Sequence, residues 1–224
     1  MSHLLKSILV LFFLLMVEGC ATVQYAALEK VGVHKRDILV DRVQEARYAQ
    51  EKAKEQFVSA YERFAALVNV EGGDLEKSYK KLKRDLDRSE KATQEIDERI
   101  EAVESVAEDL FDEWHRELDQ YSSPVLRQKS EKNLTFTRHR YEVLIDKMKK
   151  ARARIDPVLF VMQDYTLFLK HNLNAKALAS LKGEAGAVEA KVADLVREME
   201  QAIAEADRFI AGPAASQEAA PGGA

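Results

Sequence analysis

From Leu39 onward this chain repeats apolar side chains at alternating intervals of four and three residues. That spacing constrains the fold more than any other feature. A period near 3.5 keeps one apolar stripe on one side of an α-helix and requires a second helix to cover it. The first stripe reads Leu39, Val43, Ala46, Gln50, Ala53, Phe57, Ala60, Phe64 and Leu67, with Gln50 its one polar member. Upstream the same steps fall on Arg36, Gly32 and Glu29, so the phase fails there and Asp37 becomes the expected N-cap.

A turn is expected at Asn69-Val70-Glu71-Gly72-Gly73, with Asp74 capping the next helix. The second stripe runs Leu75, Tyr79, Leu82, Leu86, Ser89, Thr93, Ile96, Ile100, Val103, Ala107, Leu110 and Trp114. It fades at Glu117, and Ser122-Ser123-Pro124 supplies a cap and a proline suited to a first helical position. The third stripe is weak at first, then clean from Tyr141 through Leu144, Met148, Ala151, Ile155, Val158, Met162 and Tyr165 to Leu169. It crosses Pro157 without losing phase, so the proline predicts a kink near Ala153 and not a turn. The last turn is expected at His171-Asn172-Leu173-Asn174. The fourth stripe, from Leu178 through Leu181, Ala185, Val188, Val192, Leu195, Met199, Ala202 and Ala206 to Phe209, is wholly apolar and stops before Gly212-Pro213.

The fold class that follows is all-α: an elongated antiparallel coiled-coil bundle of about four helices, spanning about 33, 47, 47 and 36 residues. At 1.5 Å per residue the middle pair would be roughly 70 Å long, leaving part of that hairpin to project beyond the outer pair. The arms of this hairpin carry opposite charges. Glu108, Asp109, Asp112, Glu113, Glu117 and Asp119 descend; Arg127, Lys129, Lys132, Arg138 and Arg140 ascend. Pairing between them is expected to select register more than to stabilise.

The first twenty residues carry a different signal. Lys6 precedes an uninterrupted apolar run from Ile8 to Val17. Ten helical residues reach about 15 Å, half of a bilayer core, which points to a signal peptide and not to a membrane-spanning helix. The run ends in Val17-Glu18-Gly19-Cys20, which resembles the lipobox of bacterial lipoproteins except for the charged Glu18. Cys20, the only cysteine, is therefore the expected lipidation site, and an intramolecular disulfide or a Cys-rich metal site is excluded. Multiple acyl chains there would hold the chain firmly on a membrane. By resemblance to Gram-negative lipoproteins, Ala21 in place of an aspartate favours an outer-membrane lipoprotein facing the periplasm. A small basic cluster, Lys30, His34, Lys35 and Arg36, follows in what reads as a solvated linker. The organisation expected is a signal peptide at 1–19, a lipid-anchored linker at 20–36, a helical domain at 37–211 and a disordered tail at 212–224.

No residues gather for catalysis. There is no glycine-rich phosphate loop and no H-E-x-x-H pair. A helical bundle can hold two metal ions on paired Glu-x-x-His motifs; the nearest approach is a single Asp112-x-x-His115, with His115 read as solvated. The net charge of −4 argues against nucleic-acid partners. Trp114 is expected to anchor the middle hairpin, with its N–H needing a partner.

The stretch Tyr25–Phe57 is similar to bacterial lipoproteins catalogued as domain of unknown function 2959, as are Gly72–Glu76, Phe111–Trp114 and Leu169–Glu184. The resemblance covers the mature chain to about Ala211 and implies a secreted helical protein with no assigned activity, so no catalytic residue carries over from it. The expectation is a non-enzymatic structural or adaptor protein of the cell envelope, without metal or cofactor. It would be attached to the membrane through Cys20 and would engage a protein partner or further copies of itself. The competing class is a periplasmic carrier or sensor binding a lipid or metal between its helices.

Overall fold

The structure is a computed structural model that describes residues 34–69 and 74–212. Cys20, the signal peptide, most of the linker, residues 70–73 and the tail from residue 213 lie outside the described residues. Six helical segments make four antiparallel arms, and among the described residues there is no strand. Arm one is α1 (Lys35–Val68) and arm two is α2 (Leu75–Glu117), which continues into a 3-10 turn at Leu118–Gln120. Arm three is α3 (Pro124–Ala153) followed by α4 (Ile155–His171). Arm four is α5 (Ala175–Lys182) followed by α6 (Ala185–Ala211). Arm one packs on arms two and four, and arm three packs on the same two, so the cross-section is a square of four neighbours.

The stripes read from spacing form the core. Every first-arm stripe position from Leu39 to Leu67 is buried, and so is every fourth-arm position except Ala185, which is partly covered. Side chains such as Phe57, Leu144, Met162 and Leu195 are almost wholly withdrawn from water. Each such side chain stabilises the fold by about 1.5–3 kcal/mol relative to exposure. The stripe alone does not decide which faces meet; polar pairs at its margins do. Lys52–Glu95 (2.9 Å) and Arg99–Glu45 (2.9 Å) join arms one and two. Arm two is joined to arm three by Arg152–Asp97 and Gln163–Glu90. Arg47–Asp207 (2.6 Å) joins arms one and four, and Lys147–Gln201 (2.9 Å) joins arms three and four. In every case numbers rise on one helix as they fall on the other, as antiparallel packing requires.

The caps follow local chemistry. Asp74 accepts from the Lys77 backbone N–H at 2.9 Å, and Ser123 accepts from that of Leu126, with Pro124 opening α3. Asn174 accepts from the Ala177 N–H, so the turn at 171–174 stands where the residues placed it. The first helix starts three residues earlier than the Asp37 cap predicts. Its N-cap is His34, extended and without a side-chain cap, because Lys35 gains an ion pair with Glu113 across the bundle at 3.0 Å. Asp37 instead lies in the first turn, where a negative charge suits the helix dipole.

Two interruptions leave the stripes in phase. The expected kink falls at Arg154, between α3 and α4, where Pro157 cannot donate to the carbonyl four residues back. The break at Gly183-Glu184 was not read from spacing, because Leu181, Ala185 and Val188 keep the four-three rhythm across it. Gly183 and Gly186, three residues apart, lower helical propensity there. At the far end Gly212 adopts a φ of 78°, a conformation favouring glycine, and terminates α6.

Gln50 and Thr166 are the buried polar residues whose side chains lack partners among the described residues, and Gln50 leaves two atoms unpaired. Its side chain is 1% exposed and neither amide atom has a hydrogen-bond partner. An unsatisfied buried amide costs about 1–3 kcal/mol, and such a residue is retained where it fixes alignment of the helices. Gln50→Leu is expected to stabilise the fold by about 1–2 kcal/mol, a rise of a few degrees in Tm, with broader distributions in interhelical distance measurements. A fall in Tm would mean that the amide has a polar partner at that level.

Candidate functional site

The middle hairpin outreaches its neighbours at one end of the bundle. Lys35, at the start of α1, meets Glu113; Arg140 of α3 meets the end of α6. Beyond these levels α2 and α3 continue as two strands alone, and from His115 to Asn133 only Leu118 is buried. The projecting segment is held by its own contacts. Trp114 Nε1 donates to Ser130 Oγ at 2.8 Å, which supplies the partner its indole requires. The Tyr121 hydroxyl reaches the same Ser130 oxygen at 3.3 Å, and Arg127 pairs with Asp119 at 2.9 Å.

The wider charge complementarity expected along this hairpin is not how its basic residues are used. Apart from Arg127–Asp119, no ion pair joins the two arms' predicted sets among the described residues. Glu113 is taken by Lys35. Arg138 lies over the Phe111 ring at 5.1 Å. Arg140 lies over Phe209 at 5.3 Å and donates to the carbonyls of Arg208 (2.5 Å) and Phe209 (3.3 Å). These carbonyls belong to the last turn of α6, where a cation offsets the helix dipole and satisfies unpaired acceptors. Burial lowers the pKa of Arg140 from its ordinary value.

Two open grooves flank Trp114. One, of about 570 Å³, is lined by His34, Lys35, Arg36, Leu110, Glu113 and Glu117. The other, of about 400 Å³, is more apolar, with Val40, Phe136, Arg140 and Phe209 in its walls. His115 and Asp112 are both exposed, and His139 and His171 are exposed elsewhere. Among the described residues no group of three or more His, Cys, Asp or Glu is placed to hold a metal ion. No helix there is long and apolar enough to cross a membrane.

One buried acid escaped the reading of the stripes. Asp85 of α2 is 4% exposed. Its carboxylate accepts from Arg63 of α1 and from Arg88 (3.0 Å), while its backbone carbonyl accepts from Gln56 of α1 and from Ser89. Both carboxylate oxygens are committed, so the group ties α1 to α2 and offers no free base. Its signal in the sequence is faint: an aspartate three residues after Leu82, on the margin of the stripe.

Tyr141 reports on the packing where the projecting hairpin meets the bundle. Its ring stands edge-on to Phe111 at 5.5 Å, and burial, aided by Glu104 and Glu108, pushes its pKa up to about 12. A raised phenol pKa contributes stability that is present in full below its unfolded value of about 10 and is lost as pH rises toward the folded value. Denaturation followed between those limits is expected to show stability falling with pH, and Tyr141→Phe is expected to flatten the slope. An unchanged slope in that variant would assign the loss to other groups.

No curated protein and no solved structure matches the chain. Residues 24–212 match the family model described as Protein of unknown function (DUF2959), which spans all four arms and the hairpin between them. The chain belongs to that family.

Proposed function

We propose that this protein is a lipoprotein of the cell envelope, anchored at Cys20, that works as a structural or adaptor rod without turning over a substrate. The observation that carries this reading is the Val17-Glu18-Gly19-Cys20 sequence at the end of a ten-residue apolar run. The bundle supports it through its form. A core filled by side chains makes a stiff body, and long helical faces offer room for a protein partner. The N-terminal segment enters the bundle at Lys35, the end at which the middle hairpin projects. An anchor at Cys20 would thus leave the opposite end of the rod directed away from the membrane. The larger of the two grooves beside Trp114 is open to solvent, which supports an adaptor over a carrier enclosing its ligand. With Ala21 after the cysteine, the outer membrane facing the periplasm is the proposed location.

Labelled palmitate is expected to enter the full chain and to be absent from Cys20→Ser, which should shift from the membrane to the soluble fraction. Equal labelling of the two, or membrane retention of a cleaved Cys20→Ser chain, would remove the anchor from this account.

A further inference from the structure

The apex of the middle hairpin is unlike the rest of the surface. From Gln120 to Leu126 (Gln-Tyr-Ser-Ser-Pro-Val-Leu) seven residues carry no charge, in a chain whose residues are 32% charged. Within it Val125 is 74% exposed, Leu126 55% and Tyr121 41%, so two aliphatic side chains and one phenol stand in solvent together at the extreme of the projecting segment. The segment is built and not frayed. Asp119 and Arg127 close its neck as an ion pair, Ser123 caps the first turn of α3, and Ser130 receives both the Trp114 N–H and the Tyr121 hydroxyl. Lys129 and Lys132 follow on the exposed surface of α3, with the exposed Glu131 between them leaving one net positive charge. An aliphatic tip, a tyrosine beside it and lysines one to two turns behind is the order in which side chains meet a bilayer: apolar groups below the headgroups, the phenol at their level and cations at the anionic surface.

We infer that this apex seats on the lipid surface, with Val125 and Leu126 entering the interface and Tyr121 beside them. The inference rests on the proposed anchor at Cys20, and the reach agrees with it. Thirteen residues lie between Cys20 and His34, and the fourteen steps can span up to about 48 Å. The apex stands only about 12 Å beyond the level of Lys35 and Glu113, from four α-helical residues to Glu117 at about 1.5 Å each and the 3-10 turn to Gln120 at about 2 Å per residue. A tethered chain can therefore bring its apex to the membrane that holds it. Three exposed side chains are too few for a stable protein interface, which takes about 800 Å² from each partner. They suffice for a contact made intramolecular by a lipid tether. Phe160 and Leu167 of α4 are similarly exposed but lie toward the other end, on the arm whose Tyr165 stacks on Phe64 late in α1, and they serve as the internal control.

The test places the photoreactive residue p-benzoylphenylalanine at position 125, and separately at 167, in the full chain. Each protein is purified as the cell processes it, reconstituted with vesicles of phosphatidylethanolamine and phosphatidylglycerol, and irradiated. Lipid adducts are expected from position 125 several-fold above those from position 167. Leu126→Asp is expected to reduce them while helicity by circular dichroism stays unchanged. Equal lipid labelling at the two positions, or crosslinks from 125 mainly to a second protein chain, would overturn the inference. The mass of the N-terminal peptide separates the two ideas. Acylated Cys20 without adducts at 125 refutes the seat alone, and adducts at 125 with an unmodified Cys20 refute the anchor alone.

Discussion

Antiparallel burial of four apolar stripes is the interaction on which every other feature depends. Helices this long have no reason to stay straight or side by side unless each stripe is covered along its length, and removing any arm would expose dozens of apolar side chains. The two backbone interruptions show how strong the constraint is. At Arg154 and at Gly183-Glu184 the helical hydrogen bonding is broken, yet Ala151, Ile155 and Val158 on one arm, and Leu181, Ala185 and Val188 on the other, continue the same face. Packing sets the path of the chain, and the backbone yields locally to follow it.

Stripes alone would permit several registers, because Leu, Ala and Val at one level fit nearly as well at the next. The polar pairs along the margins distinguish among them. Exposed pairs such as Lys52–Glu95 contribute at most about 1 kcal/mol each, but a shift by one turn would sacrifice all of them at once. It would also leave Asp85 buried without Arg63 and place Gln50 opposite new neighbours. Unpartnered buried charge costs several kcal/mol, so Asp85 discriminates against misalignment more strongly than any surface pair.

Much of this was legible in the residues, and the remainder was not for identifiable reasons. Periodicity reveals which side chains face inward, so the core from Leu39 to Phe209, the caps at Asp74 and Ser123 and the kink before Pro157 could all be read. It does not reveal which arm lies beside which. For that reason spacing sends Glu113, Arg138 and Arg140 to facing charges they do not meet, and it carries no sign of the tie between Arg63 and Asp85. The break at Gly183 is silent in the spacing because it preserves the phase of the stripe. The apex was hidden differently: Val125 and Leu126 lie on no stripe, and their exposure becomes meaningful only once the hairpin is seen to outreach α1 and α6. The anchor proposed at Cys20 rests on the residues before it, and no side chain of the bundle replaces that signal.

Continuity of α2 is the feature that makes the molecule a rod and carries its hairpin past the neighbouring arms. It can be measured directly by pulsed electron resonance between spin labels at Lys81 and Arg116, both exposed, in a Cys20→Ser background. An unbroken helix predicts one narrow distribution centred at about 52 Å, from thirty-five residues at 1.5 Å each. A broad distribution, or one centred well below that value, would mean that α2 bends or folds back, and would contradict the extended four-arm bundle.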